Sequence, residues 1–226
     1  MKIEVHIQGR RGNFHLDVAI EGGQRPILLL GPNGSGKTTV LRTIAGALIP
    51  DRGRIKIQEK LLFCSRSGWN LPPERRRVAY VPQGLGLFPH LSTVENIAFS
   101  LRCHSRLSRN DCIKKVNDFL ASLGWESLAR HPVAELSGGM AQRLALARAL
   151  IMQPDILLLD EPFASLDAET RKNISSLIFE NFERWGVPII LATHHPGEVY
   201  GWGGQMVRLN QGKSSLAGPE DPTQKL

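Results

Sequence analysis

The segment Gly31-Pro-Asn-Gly-Ser-Gly-Lys-Thr38 constrains this chain more than any other part of it. It matches G-x-x-x-x-G-K-[ST] in full. The apolar run 26–30 precedes it and a helical pattern over 38–48 follows it. Glycines let successive backbone N–H groups turn inward around an anion, and the following helix points its positive end at the same place. Gly31, Pro32, Asn33, Gly34, Ser35, Gly36, Lys37, Thr38 and Thr39 therefore form a candidate nucleotide cradle. In it Lys37 reaches the β- and γ-phosphates and the Thr38 hydroxyl ligates Mg²⁺. A glycine-rich hairpin or linker would not need an apolar strand before it and a helix after it.

Around that loop the punctuation separates an α/β core from a helical insertion. Strand patterns are predicted at 2–7, 14–20, 26–30, 55–58 and 78–82, with a turn at Pro50-Asp-Arg-Gly-Arg. From Gly84 to about Glu135 the pattern is helical. Ser92 and Glu95 make a capping box for a helix running through Leu101, and a second helix spans 111–123 before Gly124. A third helix covers 141–152. The buried-strand pattern returns at 155–160, followed by a helix over 168–185 and a strand over 187–193. Strands alternating with helices imply a mostly parallel sheet covered on both faces. The fold expected is an α/β P-loop NTPase (RecA-like) core with an N-terminal antiparallel portion and an inserted helical subdomain. One domain is expected over 1–226, with 1–83 and about 150–212 as core, about 84–149 as helical subdomain and 213–226 as a frayed polar tail.

Two carboxylates end the strand Ile156-Leu-Leu-Leu-Asp160-Glu161. Open α/β sheets bind their ligands at this end of the strands. Successive strand residues point to opposite faces, so the two acids do different jobs. Asp160 fits a Mg²⁺ shell, and Glu161 fits a base for an attacking water. Alone, the pair would read equally well as an acidic strand end capping a helix.

Leu136-Ser-Gly-Gly-Met140 lies at the start of the third helix, where Ser137 serves as its cap. With Gly138 and Gly139 it creates a second anion site on the same chain. One nucleotide does not need two such sites in one subunit. A head-to-tail pair accounts for both, each Ser-Gly-Gly turn closing over the partner's ATP.

With these elements in this order, the chain resembles the ABC transporter ATPase family from Met1 to about Gly212. The resemblance implies further roles. Gln83 is similar to the glutamine that senses Mg²⁺ and the attacking water. Ser165-Leu-Asp167 is similar to the loop facing the partner subunit, and Thr193-His194 carries the histidine that contacts the γ-phosphate. Met140 stands where the family signature usually has Gln, and His195 stands where an acid is common. Phe14 has two readings, the aromatic that stacks on adenine and a core strand residue; it lies closer to Lys37 than the family usually shows. The run from Leu71-Pro-Pro-Glu to Val81-Pro-Gln83, with Gly84-Leu-Gly-Leu-Phe-Pro-His90, is similar to importer subunits for molybdate, sulfate, polyamines or sugars, the molybdate type most of all. Many members carry a C-terminal regulatory domain, for which this length leaves no room.

The resemblance also implies ATP hydrolysis with Mg²⁺ in a dimer of two copies, bound to transmembrane permease subunits. An extracytoplasmic substrate-binding protein and a location on the inner face of the cell membrane go with it. Three cysteines without C-x-x-C spacing suit reduced, buried thiols and an intracellular address. A net charge of +7, bunched at 75–77 and between Arg102 and Lys115, fits either a solvated face or an anionic partner. Nucleic acid is not expected as that partner, because a DNA-repair relative would need long coiled coils. A translation-type relative would carry two cassettes, and a monomeric P-loop ATPase would not need the second anion site.

Overall fold

The computed structural model describes residues 2–104, 107–164, 166–194, 197 and 202–217. The elements in chain order are β1 (Ile3–Arg11), β2 (Phe14–Gly22), β3 (Ile27–Leu30), α1 (Lys37–Ala45), β4 (Arg52–Ile57), β5 (Lys60–Cys64), β6 (Trp69–Asn70), β7 (Val78–Val81), α2 (Thr93–His104), α3 (Arg109–Ser122), α4 (Gly138–Leu150), β8 (Ile156–Asp160), α5 (Ala168–Trp185), β9 (Ile189–Thr193), β10 (Gln205–Asn210) and β11 (Lys213–Ala217).

Strand β3 has no polar side chain because both of its faces are covered. Ile27 and Leu29 pack with Val40, Leu41 and Ile44 of α1, while Leu28 and Leu30 pack into the cluster that holds α2, α3, α4 and α5. Strand β8 divides in the same way, Ile156 and Leu158 to one side and Leu157 and Leu159 to the other. The strands form one sheet in the order β6-β5-β4-β1-β2-β11-β10-β3-β9-β8-β7. Its β10-β3-β9-β8-β7 part is parallel, and β1, β2, β4, β5 and β6 pair antiparallel. The alternating burial of β1 and β2 is the period-2 signature of an antiparallel portion with one face in the core.

The helical part shares the core's second cluster. Leu144, Ala145, Leu146 and Ala147 are buried on every side of α4, which places that helix at its centre. Ser92 and Glu95 make the expected reciprocal cap of α2, each side chain bonding the other's backbone N–H. Buried Asn96 then ties the loop before α2, its side chain bonding both backbone groups of Phe88 and the carbonyls of Leu91 and Ser92.

Several expectations are corrected. The frayed tail is not frayed at its start, because 213–217 form β11. That strand pairs with β10, and Ser214 Oγ bonds the backbone of Ala19. Its neighbours satisfy a backbone that composition alone marks as polar. Strands β5, β6 and β10 have no counterpart in the sequence reading. The helix expected over 38–48 ends at Ala45, where Gly46 takes φ +91. Among the cysteines only Cys112 is buried; Cys103 is exposed and Cys64 intermediate. The basic run 75–77 is not a uniform solvated face either, since Arg76 is 1% exposed. Among the described residues, no helix is long and apolar enough to cross a membrane.

Candidate functional site

Four parallel strands end at one edge of the sheet. Leu30 of β3 pairs with Thr193 of β9, Ala192 with Asp160 of β8, and Leu159 with Val81 of β7. The residues that follow each strand therefore meet: the loop 31–36, His194, Glu161 and Gln83. A cavity of about 490 Å³ lies there, lined by Arg11, Phe14, Asn33, Gly34, Gly36, Lys37, Thr38, Thr39, Gln83 and Glu161. A larger hollow of about 870 Å³ continues past Phe14 and Gly34 toward Arg10 and Arg52. Charge and donor placement, rather than size, single out the first.

The loop needs its glycines. Gly36 takes φ +104, and a Cβ there would come within 2.8 Å of the Phe14 ring. At Gly31 a Cβ would meet the Leu209 carbonyl oxygen at 2.2 Å. Helix α1 begins directly after the loop with no side-chain cap and no acidic residue in its first turn. Among the described residues its first N–H groups have no side-chain acceptor, and the buried Ser35 Oγ has no hydrogen-bond partner. These unmet donors and the positive helix end suit a polyanion.

Lys37, 6% exposed, donates to the carbonyls of Gly31 (2.7 Å) and Pro32 (3.2 Å). Its ammonium also lies 3.2 Å from Glu161 Oε1. That contact is an ion pair without hydrogen-bond alignment, since among the described residues Oε1 has no hydrogen-bond partner. The other oxygen, Oε2, is 2.9 Å from His194 Nδ1. Glu161 sits at φ +49, a left-handed conformation that side chains other than glycine avoid, and its N–H is held by the Ala192 carbonyl at 2.9 Å. The turn swings this carboxylate away from its neighbour's.

Asp160, 2% exposed, faces the other way. Its Oδ1 accepts from the Thr38 hydroxyl at 3.1 Å and its Oδ2 from the Tyr80 hydroxyl at 2.8 Å. Burial, then the bond to Asp160, pushes the Tyr80 phenol up to about 12, so it acts as a neutral donor. Hydroxyl and carboxylate oxygens are hard donors of the kind Mg²⁺ takes, and their place beside the cradle fits that ion.

The remaining expected residues stand apart. Ser137 caps α4, accepting the Met140 N–H at 3.3 Å, and is exposed with Gly138. Asp167 caps α5 by accepting the Thr170 N–H at 2.9 Å, and hydrogen bonds from Thr170, its side chain first and then its backbone, hold the carboxyl below the usual range. A Cβ on Gly139 would come within 2.8 Å of Thr170 Cγ2, so the Ser-Gly-Gly turn packs on the start of α5. None of Ser137, Gly138, Gly139 and Asp167 lines the Lys37 cavity. Ser165 and His195 lie outside the described residues. The sequence does not single out Tyr80 or Arg11, and marks Arg76 only as part of the basic run 75–77; a tyrosine at an alternating strand position carries no signal beyond that of a core aromatic.

Residues 15–164 match the family model described as ABC transporter. The chain belongs to the ABC transporter family. Within the family it is 39% identical over 217 residues to the molybdenum import ATP-binding protein of Paramagnetospirillum magneticum, covering 96% of this chain and 59% of that protein. The chain thus spans about three fifths of that relative's length. It is 41% identical over 194 residues to the molybdate/tungstate import ATP-binding protein of Archaeoglobus fulgidus, covering 86% of this chain and 77% of that protein. It also resembles the dimeric structure of a post-hydrolysis state of an ATP-binding cassette bound to ADP and Pi. That match has a TM-score of 0.75 and 26% identity and covers 96% of this chain and 98% of the other.

Proposed function

We propose that this family member binds and hydrolyses ATP with Mg²⁺ and couples that reaction to import through membrane permease subunits. The observation that carries the reading is the meeting of Lys37, Glu161, His194 and the Thr38–Asp160 pair at the open edge of one parallel sheet. In this reading Gly31–Thr39 and the α1 N-terminus cradle the phosphates, and Lys37 leaves the loop carbonyls for the β- and γ-phosphates. Thr38 and Asp160, with Gln83 nearby, hold Mg²⁺, which supplies charge neutralisation on the phosphate oxygens. Glu161 takes the proton of a water that attacks the γ-phosphorus in line, and ADP and inorganic phosphate leave. His194 orients Glu161 and contacts the γ-phosphate; Gln83 orients the water. Phe14, packed over Gly36, offers its ring to the base.

Two copies form the working unit, each Ser137–Gly139 turn and Asp167 closing over the partner's cavity. The exposure of Ser137, Gly138 and Asp167, and the absence of all these residues from the chain's own cavity, support that assignment. We take 1–226 as one ATPase domain, with about 84–149 as the helical subdomain that meets the permease on the inner face of the membrane. An extracytoplasmic binding protein delivers the cargo. Similarity to molybdenum and molybdate/tungstate import ATP-binding proteins favours molybdate or a related oxyanion as that cargo.

The test is phosphate release by the purified chain with ATP, with and without Mg²⁺. Metal-dependent release is expected. A folded chain that neither binds ATP nor releases phosphate from it would overturn the reading.

A further inference from the structure

We propose that Tyr80 is a positioning residue for the Mg²⁺ carboxylate: its hydroxyl fixes the rotation of Asp160 so that Oδ1, beside Thr38, faces the metal. The inference rests on reading the cavity as a Mg·ATP site.

The terminal torsion of an aspartate is broad and nearly two-fold, so packing alone does not select which oxygen faces a ligand. Here each oxygen of Asp160 has one donor, and the donors come from different elements. Thr38 of α1 bonds Oδ1 at 3.1 Å and Tyr80 of β7 bonds Oδ2 at 2.8 Å. Asp160 is 2% exposed, so water is poorly placed to replace either bond. The phenol is a donor that cannot compete as a cation, and it takes the oxygen away from the cradle. Without the hydroxyl, Oδ2 is left buried without a donor, and the carboxylate is free to turn from Thr38. Partners that orient a metal ligand typically contribute about 10- to 100-fold to metal affinity.

Tyr80 also stands three positions before Gln83, at the end of the strand that pairs directly with β8. Asp160 and Gln83 are thereby set by one short strand. A residue that only filled space between β7 and α1 would affect stability and leave the metal dependence alone.

The experiment uses Tyr80→Phe, which keeps the ring, and Tyr80→Leu, which lacks the hydroxyl by a different packing. ATP binding is titrated by calorimetry across a series of Mg²⁺ concentrations and in EDTA. The expected result is that the Mg²⁺ concentration for half-maximal enhancement of ATP binding rises about tenfold, while binding in EDTA changes less than about twofold. Parental Mg²⁺ dependence in either folded variant, even with a lowered melting temperature, would overturn the proposal. The parent chain is the control: if it fails to bind ATP, the reading of the cavity itself fails; if it binds Mg·ATP as the folded variants do, only the role of Tyr80 fails.

Discussion

Oε2 of Glu161 lies 2.9 Å from Nδ1 of His194, and Lys37 stands on the other side of the same carboxylate, 3.2 Å from Oε1. Glu161 and Lys37 are 7% and 6% exposed, so the pair is largely desolvated. A buried charge left without its partner is costly, and each of these groups therefore constrains the others. The left-handed backbone at Glu161 places it there, at the end of a strand whose last residue, Asp160, is turned to Thr38 and Tyr80. One peptide bond thus separates a carboxylate hydrogen-bonded to two hydroxyls from a carboxylate bonded to the His194 imidazole and ion-paired with the Lys37 ammonium. This difference is the basis for giving them different roles.

Glu161→Gln is expected to keep ATP binding and to lower hydrolysis by about 100-fold or more, because the amide has the same shape and is a poor base. Steady-state phosphate release and an ATP titration on the same sample check this. Turnover at the parental rate would remove Glu161 from the role of base.

Lys37→Ala is expected to weaken ATP binding by about 10- to 100-fold, since hydrogen bonds to charged groups contribute about 1.5–3 kcal/mol. The loss should be largest for nucleotides that carry a γ-phosphate. Calorimetric titration with ATP and with AMP separates a phosphate contact from a general loss of structure. Equal loss for both would argue against Lys37 as the γ-phosphate contact.

Arg76→Met is expected to destabilise the fold by about 2–4 kcal/mol. Among the described residues the guanidinium has no acidic partner; it donates to the carbonyls of Leu71, Thr43 and Ile44 and to Asn70 Oδ1. Two of those carbonyls close the C-terminal end of α1, where a positive charge is favoured by the helix dipole. Methionine fills the volume and removes the donor from the Leu71 and Ile44 carbonyls and from Asn70 Oδ1, while Thr43 keeps the Gly46 N–H at 3.1 Å. A fall in the urea midpoint measures the effect; an unchanged midpoint would mean that water replaces the guanidinium. Gly46→Ala should act on the same contact, because a Cβ there would come within 2.6 Å of Arg76 Nε.

The loop at 31–38 and the acidic end of β8 were legible because each is a short pattern with one mechanical solution: a glycine turn into a helix, and an apolar strand ending in acids. The caps at Ser92 and Ser137 were legible for the same reason. Arg76 and Tyr80 were not, since their meaning depends on what the fold brings beside them. Arg76 meets carbonyls of Thr43 and Ile44, over thirty positions earlier, and Tyr80 meets Asp160, 80 positions later. Strands β5, β10 and β11 carry mixed polar and apolar residues, and their pairing partners supply the order that local pattern lacks. Ser137 is exposed and does not line the cavity around Lys37 of its own chain.

That last point leads to a test in trans. Ser137→Arg places a bulky cation in the turn at the start of α4 and leaves the loop 31–38 of the same chain intact. In a head-to-tail dimer each site takes Lys37 from one copy and Ser137 from the other. A homodimer of Ser137→Arg, or of Lys37→Ala, then has a defect in both sites and should be nearly inactive. Mixing the two variants creates heterodimers in which one site carries both changes and the other carries neither. ATPase activity should therefore reappear in the mixture, at less than half the parental rate if the two sites cooperate. Phosphate release across a series of mixing ratios should peak near equal amounts. Normal hydrolysis by Ser137→Arg alone would show that the turn does not complete a site, and a monomeric P-loop ATPase would then be the better account.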